Sequence, residues 1–281
     1  MRILVTGAGG LLGAAIVREF QPIADVRAHD RRGLDVSDET AVAAAVGGFN
    51  PDVIVNCAAF NDVDRAESEP DAALRVNAFG VLALARAARE RGATLVHYSS
   101  DFVFDGAADQ PYGEEDAPNP RGVYAASKLL GDMFARDAPG AYVLRVESLF
   151  GDPGPGGARR GSLGTIIDRI RAGGQVPVFV DRTVSPSYTA DLAMATRRIV
   201  ETKPAPGLYH CVNSGAALWV EIAAEAARLM GLPLDVKPIT LESVKLVAPR
   251  PRYCALSNRK LAAAGIAMPE WTDALRRFLV G

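Results

Sequence analysis

The chain has 281 residues, of which 49% are hydrophobic, a formal net charge of -2 at pH 7 and three cysteines. At ~100–200 residues per domain, this length allows one large α/β domain or one domain with an added lobe. The near-neutral charge leaves no footprint for nucleic acid or an anionic membrane surface. Cys57, Cys211 and Cys254 are widely spaced, which fits reduced thiols in a cytoplasm and not a disulfide scaffold.

The first apolar stretch, Arg2 to Thr6, reads as a strand with no signal-peptide segment before it. No apolar run reaches the ~18 residues that suggest a membrane span, so a cytoplasmic protein is expected. Gly7, Gly10 and Gly13 follow in Gly-x-x-Gly-x-x-Gly spacing, with Leu11 and Leu12 between them and a helical run after. A strand-to-helix turn without Cβ atoms lets backbone N–H groups approach a pyrophosphate, and the helix N-terminus favours the negative charge. Asp25 to Asp30 reads as the second strand. Asp30 at its end is placed to bond an adenosine ribose, while Arg31 and Arg32 could meet a 2′-phosphate, so NADPH and NADH both stay open. Asp35 and Val36 fall where an adenine would lie, and Ser37 or Asp38 can cap the helix from about Asp38 to Val46.

Pro51 to Ala59 reads as a third buried strand. Its small last residues, Ala58 and Ala59, let a cofactor lie against the strand end, with Phe60 next to them. A helix is expected from about Asp71 to Arg89. Asn77 inside it is a poor helix former and needs a local reason, either a bond to the backbone of the active-site strand or exposure.

Leu95 to Tyr98 reads as a buried strand ending in Ser99-Ser100-Asp101, which puts small hydroxyls where open α/β sheets bind ligands. Tyr124 to Phe134 reads as a helix with Tyr124 and Lys128 on one face. A phenol beside an ammonium is a proton donor whose pKa is expected to be lowered by the positive charge.

Ala141 to Val146 is a further strand, left through Glu147 and Ser148. Asp152 to Gly161, rich in glycine and proline, reads as a mobile loop near the site. A helix from about Ser162 to Ala172, a strand at Pro177 to Val180, a helix from Thr189 to Val200, a strand at Gly207 to Cys211 and a helix from Leu218 to Met230 follow. Beyond Gly231 the alternation stops, and the remaining pieces are expected to fold back as a small lobe over the strand ends. The expected fold is therefore α/β, a Rossmann-type doubly wound parallel sheet. Residues 1–150 would form the NAD(P)-binding domain and 151–281 mainly a substrate-binding lobe, with about 181–212 returning to the core. The three histidines do not cluster with acids or cysteines, so no metal site is expected.

The glycine turn, the Ser-Ser-Asp strand end and Tyr124-x-x-x-Lys128 together resemble an extended short-chain dehydrogenase/reductase. The strings VNCAAFNDVDRAE, RVNAFG, HYSSDFVFDG, PYGEED, NPRGVYAASKLLGD and RPRYCALSNRKL, over nearly the whole chain, resemble the dTDP-4-dehydrorhamnose reductase family. The resemblance implies NAD(P)H-dependent reduction of the 4-keto group of a nucleotide-activated 6-deoxyhexose in deoxysugar (dTDP-rhamnose type) biosynthesis, by a monomer or homodimer. It makes Tyr124 the proton donor, Lys128 its partner and Ser100 the hydroxyl on the reacting oxygen, and sets Asn77 near the active-site strand. Asp101, Phe102, Ser148 and Arg182 become candidate substrate contacts, with Arg250 and Arg252 as further candidates for a diphosphate or base.

The chain departs from the family's pattern at several of these positions. Phe60 and Phe102 stand where it usually has Tyr, Ser148 where it often has Trp, Leu11 where it often has Gln, Ser100 where it usually has Thr, and Ser187 in place of a Thr after Pro186. The chain also resembles the regulatory β subunit of methionine adenosyltransferase, which implies an alternative role as an NADP-binding interaction subunit. Nucleotide-sugar epimerases and dehydratases share the fold. The dehydratases' acidic pair beside the Ser/Thr is absent in sequence, since Phe102 follows Asp101.

Overall fold

The computed structural model describes residues 1–153 and 161–281. The expected loop from Asp152 to Gly161 thus falls largely outside the described residues. The centre is a six-stranded sheet of β1 (Arg2–Thr6), β2 (Asp25–His29), β3 (Val53–Asn56), β4 (Thr94–Ser100), β5 (Tyr142–Val146) and β6 (Gly207–His210). The strand order is β6-β5-β4-β3-β1-β2, and every neighbouring pair is parallel.

Alternation along the strands explains why helices cover both faces. Ile3 and Val5 of β1 pack on one face with α1 (Leu11–Phe20) and α5 (Thr189–Thr202), together with Val96, Leu144, Leu192 and Ile199. Leu4, Ile54, Leu95 and Val143 point the other way, into a cluster with α2 (Glu39–Phe49) and α3 (Gly80–Arg91). Asp38, not Ser37, caps α2, its carboxylate accepting from Ala41 N at 3.0 Å.

Parallel strands that share a register bring their carboxyl ends level. Thr6, Asn56 and His97 are therefore direct neighbours on β1, β3 and β4. Thr6 Oγ1 donates to Asn56 Oδ1 at 2.7 Å, and Asn56 Nδ2 meets His97 Nδ1 at 3.0 Å, all three residues being fully buried. Burial holds His97 neutral by pushing its pKa well below the usual value.

The helix expected from Asp71 to Arg89 is not continuous. It is helical at Pro70–Leu74, takes a π turn over Arg75–Phe79, and resumes as α3. Asn77 sits in that turn and is fully buried. The two reasons offered by the sequence, a bond to the active-site strand or exposure, both give way to other partners. Asn77 Oδ1 accepts from Phe60 N at 2.8 Å, and its Nδ2 donates to Phe60 O at 3.1 Å and Ser127 Oγ at 3.0 Å. The extra residue of a π turn aims this amide at the loop after β3 and at α4 (Val123–Ala135) at once. Packing there is close: a Cβ at Gly131 of α4 would overlap the Asn77 carbonyl.

A second core lies beyond β5. Leu163, Ile166 and Ile170 of helix Gly161–Arg171 pack with Val176, Val178, Trp219 and Ile222. Three small pairings frame it: Leu149–Phe150 with Ser187–Tyr188, Val176–Phe179 with Val236–Ile239, and Thr183–Val184 with Ala217–Leu218. The chain beyond Gly231 does not all gather there, because Leu261, Ile266 and Met268 join the sheet cluster beside Tyr209 and Ile199. Their apolar side chains cover the outer end of the sheet at β6, which would otherwise face water.

Asn77→Ala strands two backbone groups of Phe60 and is expected to lower stability by about 1–3 kcal/mol. Urea unfolding of the two proteins checks this, and an unchanged midpoint would contradict the role given to Asn77.

Candidate active site

The turn after β1 is built by close approach. Gly7 has φ +67°, and a Cβ there would lie 2.6 Å from Ala58 N and from the Cys57 carbonyl. A Cβ on Gly13 would overlap the Gly7 carbonyl. The first regular bond of α1 is Ala14 N to Gly10 O at 2.9 Å, so the N–H groups of Leu11, Leu12 and Gly13 precede the helix ladder and are available to an anion.

A cavity of about 350 Å³ extends from this turn along the ends of β1, β2 and β3. It is lined by Gly7, Gly10, Asp30, Arg31, Asp35, Val36, Ala58, Ala59 and Phe60, with Arg32 beside them. Asp30 Oδ1 accepts from Arg32 N at 2.9 Å and Gly33 N at 3.0 Å, which fixes the turn that presents both arginines. Asp35 also does local work. It accepts from Ser37 N and Oγ, and these bonds, with Arg31 at 3.8 Å, hold its carboxyl below the usual range. Asn77 does not line this cavity. It fixes Phe60, which does.

A second cavity of about 280 Å³ continues from Gly10, Leu11, Leu12 and Gly13 across the end of β4. Its wall includes Ser100, Asp101, Phe102, Tyr124, Lys128, Glu147 and Ser148. Tyr124 and Lys128 reach it from the first turns of α4. That helix begins at Gly122, whose φ is +106°, and Glu67 caps it by accepting from Val123 N at 2.8 Å. Ser127 Oγ donates to Tyr124 O at 2.7 Å and ties the same turn to Asn77. Ser148 has φ +44°, an uncommon conformation for a residue with a side chain.

The electrostatics differ from the sequence expectation. Tyr124 is not a lowered phenol. Burial pushes it up to about 12, opposed by a hydrogen bond with Ser100 and reinforced by the charges of Asp101 and Asp132. Lys128 is only 2% exposed and is pulled down to about 8 by its burial, while Asp132 works the other way. The ammonium donates to Tyr98 O at 2.6 Å. Desolvation outweighs the neighbouring charge for both groups. At neutral pH the phenol therefore keeps its proton and the amine is still largely charged.

Phe102 lies edge-on to Tyr124, with ring centroids 5.4 Å apart, and the Arg182 and Arg250 guanidiniums sit 5.6 and 5.9 Å from its ring. The proposed anion-binding arginines are largely committed within the chain. Arg250 pairs with Asp64 at 2.9 Å and Arg252 with Glu242 at 2.9 Å. Arg182 donates from Nε to Pro251 O at 3.1 Å and from Nη2 to Cys254 Sγ at 3.3 Å. It borders a separate cavity of about 270 Å³ with Arg169, Phe179 and Trp219.

An all-parallel sheet with a glycine turn at its switch point, beside Ser100, Tyr124 and Lys128, defines a dinucleotide-binding oxidoreductase of the short-chain dehydrogenase/reductase class. The chain belongs to the family described as "RmlD substrate binding domain", whose sequence model matches residues 1–280. It is 38% identical to a probable dTDP-4,6-dihydroxy-2-methyloxan-3-one 4-ketoreductase of Streptomyces antibioticus, over 98% of this chain and 94% of that one. It is 37% identical to a dTDP-4-dehydrorhamnose reductase of Streptomyces griseus, over 98% of this chain and 91% of that one. Among solved structures, the dTDP-4-dehydrorhamnose reductase of Bacillus anthracis in complex with NADP superposes with a TM-score of 0.93 at 31% identity, covering 99% and 98% of the two chains.

Gly13→Ala is expected to weaken NADPH binding about tenfold or more, as an overpacked turn costs about 1–3 kcal/mol. Fluorescence titration with NADPH checks it. Affinity equal to that of the unaltered protein would contradict the close-approach reading.

Proposed function

We propose that the protein is an NADPH- or NADH-dependent reductase of the 4-keto group of a nucleotide-activated 6-deoxyhexose, of the dTDP-4-dehydrorhamnose reductase type. The observation that carries this is the shared cavity in which the glycine turn meets Ser100, Tyr124 and Lys128. The turn fits a dinucleotide, because the N–H groups of Leu11, Leu12 and Gly13 precede the first bond of the α1 ladder and can meet a pyrophosphate. Gly7 through Gly13, with Leu11 and Leu12, would hold the pyrophosphate. Asp30 and Arg31 would take the adenosine ribose, Asp35 and Val36 the adenine, and Ala58, Ala59 and Phe60 the far wall. Asn77 acts here through Phe60.

When bound, the reduced nicotinamide supplies a hydride to the carbonyl carbon. Tyr124, kept protonated by burial, gives its proton to the carbonyl oxygen. Lys128 holds positive charge close to the phenol on the same helix face and so stabilises the phenolate that results. Ser100 donates toward the charge that develops on the oxygen. Asp101, Phe102 and Ser148 would contact the sugar, and Arg182, with Phe179 and Trp219 around it, would meet the nucleotide end. The division of labour follows the chain. Residues 1–150 hold the cofactor and 151–281 mainly hold the substrate, with 181–212 serving the core through α5 and β6. No described helix is long and apolar enough to cross a membrane. A cytoplasmic enzyme acting as a monomer or homodimer completes the reading.

The test is oxidation of NADPH or NADH by the purified protein with a dTDP-4-keto-6-deoxyhexose. Tight cofactor binding without turnover would favour the interaction-subunit alternative. Tyr124→Phe should lower kcat by about 10²-fold or more with cofactor affinity kept; near-normal turnover would contradict the assignment. Replacing Arg31 and Arg32 together by Ala should cut any preference for NADPH over NADH by about tenfold or more, since a charged hydrogen bond is worth about 1.5–3 kcal/mol. Steady-state kinetics with both cofactors checks this, and an unchanged ratio would remove the arginines from cofactor choice.

A further inference from the structure

We propose that Asp132, anchored by Arg145, is the counter-charge that Lys128 needs while Tyr124 gives up its proton, a positioning residue that acts on the substrate only through that lysine. The inference rests on the reductase reading above.

The three residues are brought together by α4 and β5. Asp132 follows Lys128 by one helix turn, so both lie on one face of α4. Arg145 stands on β5, and its Nε donates to Asp132 Oδ2 at 3.1 Å. Lys128, Asp132 and Arg145 are 2%, 3% and 3% exposed. The Phe104 ring packs 5.1 Å from the Arg145 guanidinium. Asp132 Oδ1 and Arg145 Nη1 are buried and complete no hydrogen bond, so the ion pair does not exhaust the carboxylate as a bidentate pair would.

The ammonium donates to the Tyr98 carbonyl, which carries no charge. Cys57 after β3 and Tyr124 on α4 are raised by burial, and His97 on β4 is lowered by it, so all three stay neutral. The other buried acids of the cleft, Asp101 and Glu147, gather instead with Cys254 against Arg182. Asp132 is the first charge to oppose the desolvation of Lys128. Burial raises Asp132 itself, opposed first by Arg145 and then by Ser99 and Lys128. Flanked by a guanidinium and an ammonium, the carboxylate keeps its charge at neutral pH.

Lys128, Asp132 and Arg145 together carry one net positive charge. When Tyr124 passes its proton to the carbonyl oxygen, the phenolate cancels that charge and the buried group ends neutral. Without Asp132, two cations would share the same dry space. Arginine does not deprotonate, so Lys128 would release its proton and leave no charge for the phenolate. The same carboxylate also raises Tyr124. One negative charge therefore favours the starting form of both groups, phenol and ammonium.

The test uses the full-length protein with ¹³C at the ε carbon of its five lysines. The Lys128 signal, assigned by its loss in Lys128→Arg, should titrate near pH 8. In Asp132→Asn its midpoint should fall by about one pH unit or more, and Asp132→Glu should restore it. Asp132→Asn strands the Arg145 charge, so Asp132→Asn/Arg145→Gln, which strands none, is measured beside it and should show the same fall. A midpoint that stays near pH 8 without the carboxylate would overturn the proposal. In the reductase assay the alkaline limb of kcat should move with the Lys128 midpoint, costing about fivefold or more at pH 8 and recovering near pH 6. A kcat lowered equally at every pH, with the limb in place, would mark Asp132 as packing alone and also overturn it. If the unaltered protein reduces no keto-sugar nucleotide, the reductase reading fails, while the lysine titration still decides whether Asp132 holds the charge.

Discussion

The backbone after β1 passes so close to the backbone after β3 that no Cβ fits between Gly7 and the Cys57–Ala58 peptide. This contact sets the floor of the cleft. It is maintained from below by the chain of bonds from Thr6 through Asn56 to His97, which levels the ends of three parallel strands. Asn56 also accepts from Ala58 N at 3.1 Å, so one buried amide fixes both the strand ends and the first residue of the cleft wall. With the strand ends level, the glycine turn, the Ser100 hydroxyl and the α4 side chains open onto connected cavities.

Desolvation sets the chemistry of the groups that line the cleft. It keeps the Tyr124 phenol protonated, softens the Lys128 ammonium, and leaves His97 a neutral structural bridge. The same effect acts on Asp132, which is raised by burial and opposed by the Arg145 charge, its partner at 3.1 Å. A pair that buried costs more to break than it contributes to stability, because either partner alone would be an uncompensated charge. Its place under α4 and β5 makes it a support for the helix that carries Tyr124 and Lys128.

Much of this was legible in the sequence, and the limits have a physical pattern. The glycine turn, the hydroxyl at the end of β4 and the Tyr124–Lys128 pair are short-range features, and strand and helix periods place them without tertiary information. The sign of the Tyr124 shift was not legible, because spacing reveals a neighbouring charge but not how completely both groups are buried. Asn77 was visible as a misfit in a helix, yet its partners Phe60 and Ser127 lie 17 and 50 residues away. Glu67, which caps α4 from 56 residues off, gave no signal beyond lying in a charged segment. The Asp101–Glu147–Cys254 group depends on three strand and loop ends converging, and a continuous sequence motif records none of it. Phe60, Phe102 and Ser148 mark where the cleft departs from the family's usual side chains, and all three line it.

The central claim is that this cleft passes a hydride from a nicotinamide to the carbonyl carbon of a keto-sugar nucleotide while Tyr124 supplies the proton. The most direct measurement follows the label. The protein is incubated with nicotinamide cofactor deuterated at the transferable position and a dTDP-4-keto-6-deoxyhexose, and the product is read by NMR. The account predicts deuterium on the former carbonyl carbon of the sugar and a solvent-derived proton on its oxygen. Cofactor that binds yet keeps its label, with the ketone intact, would contradict it.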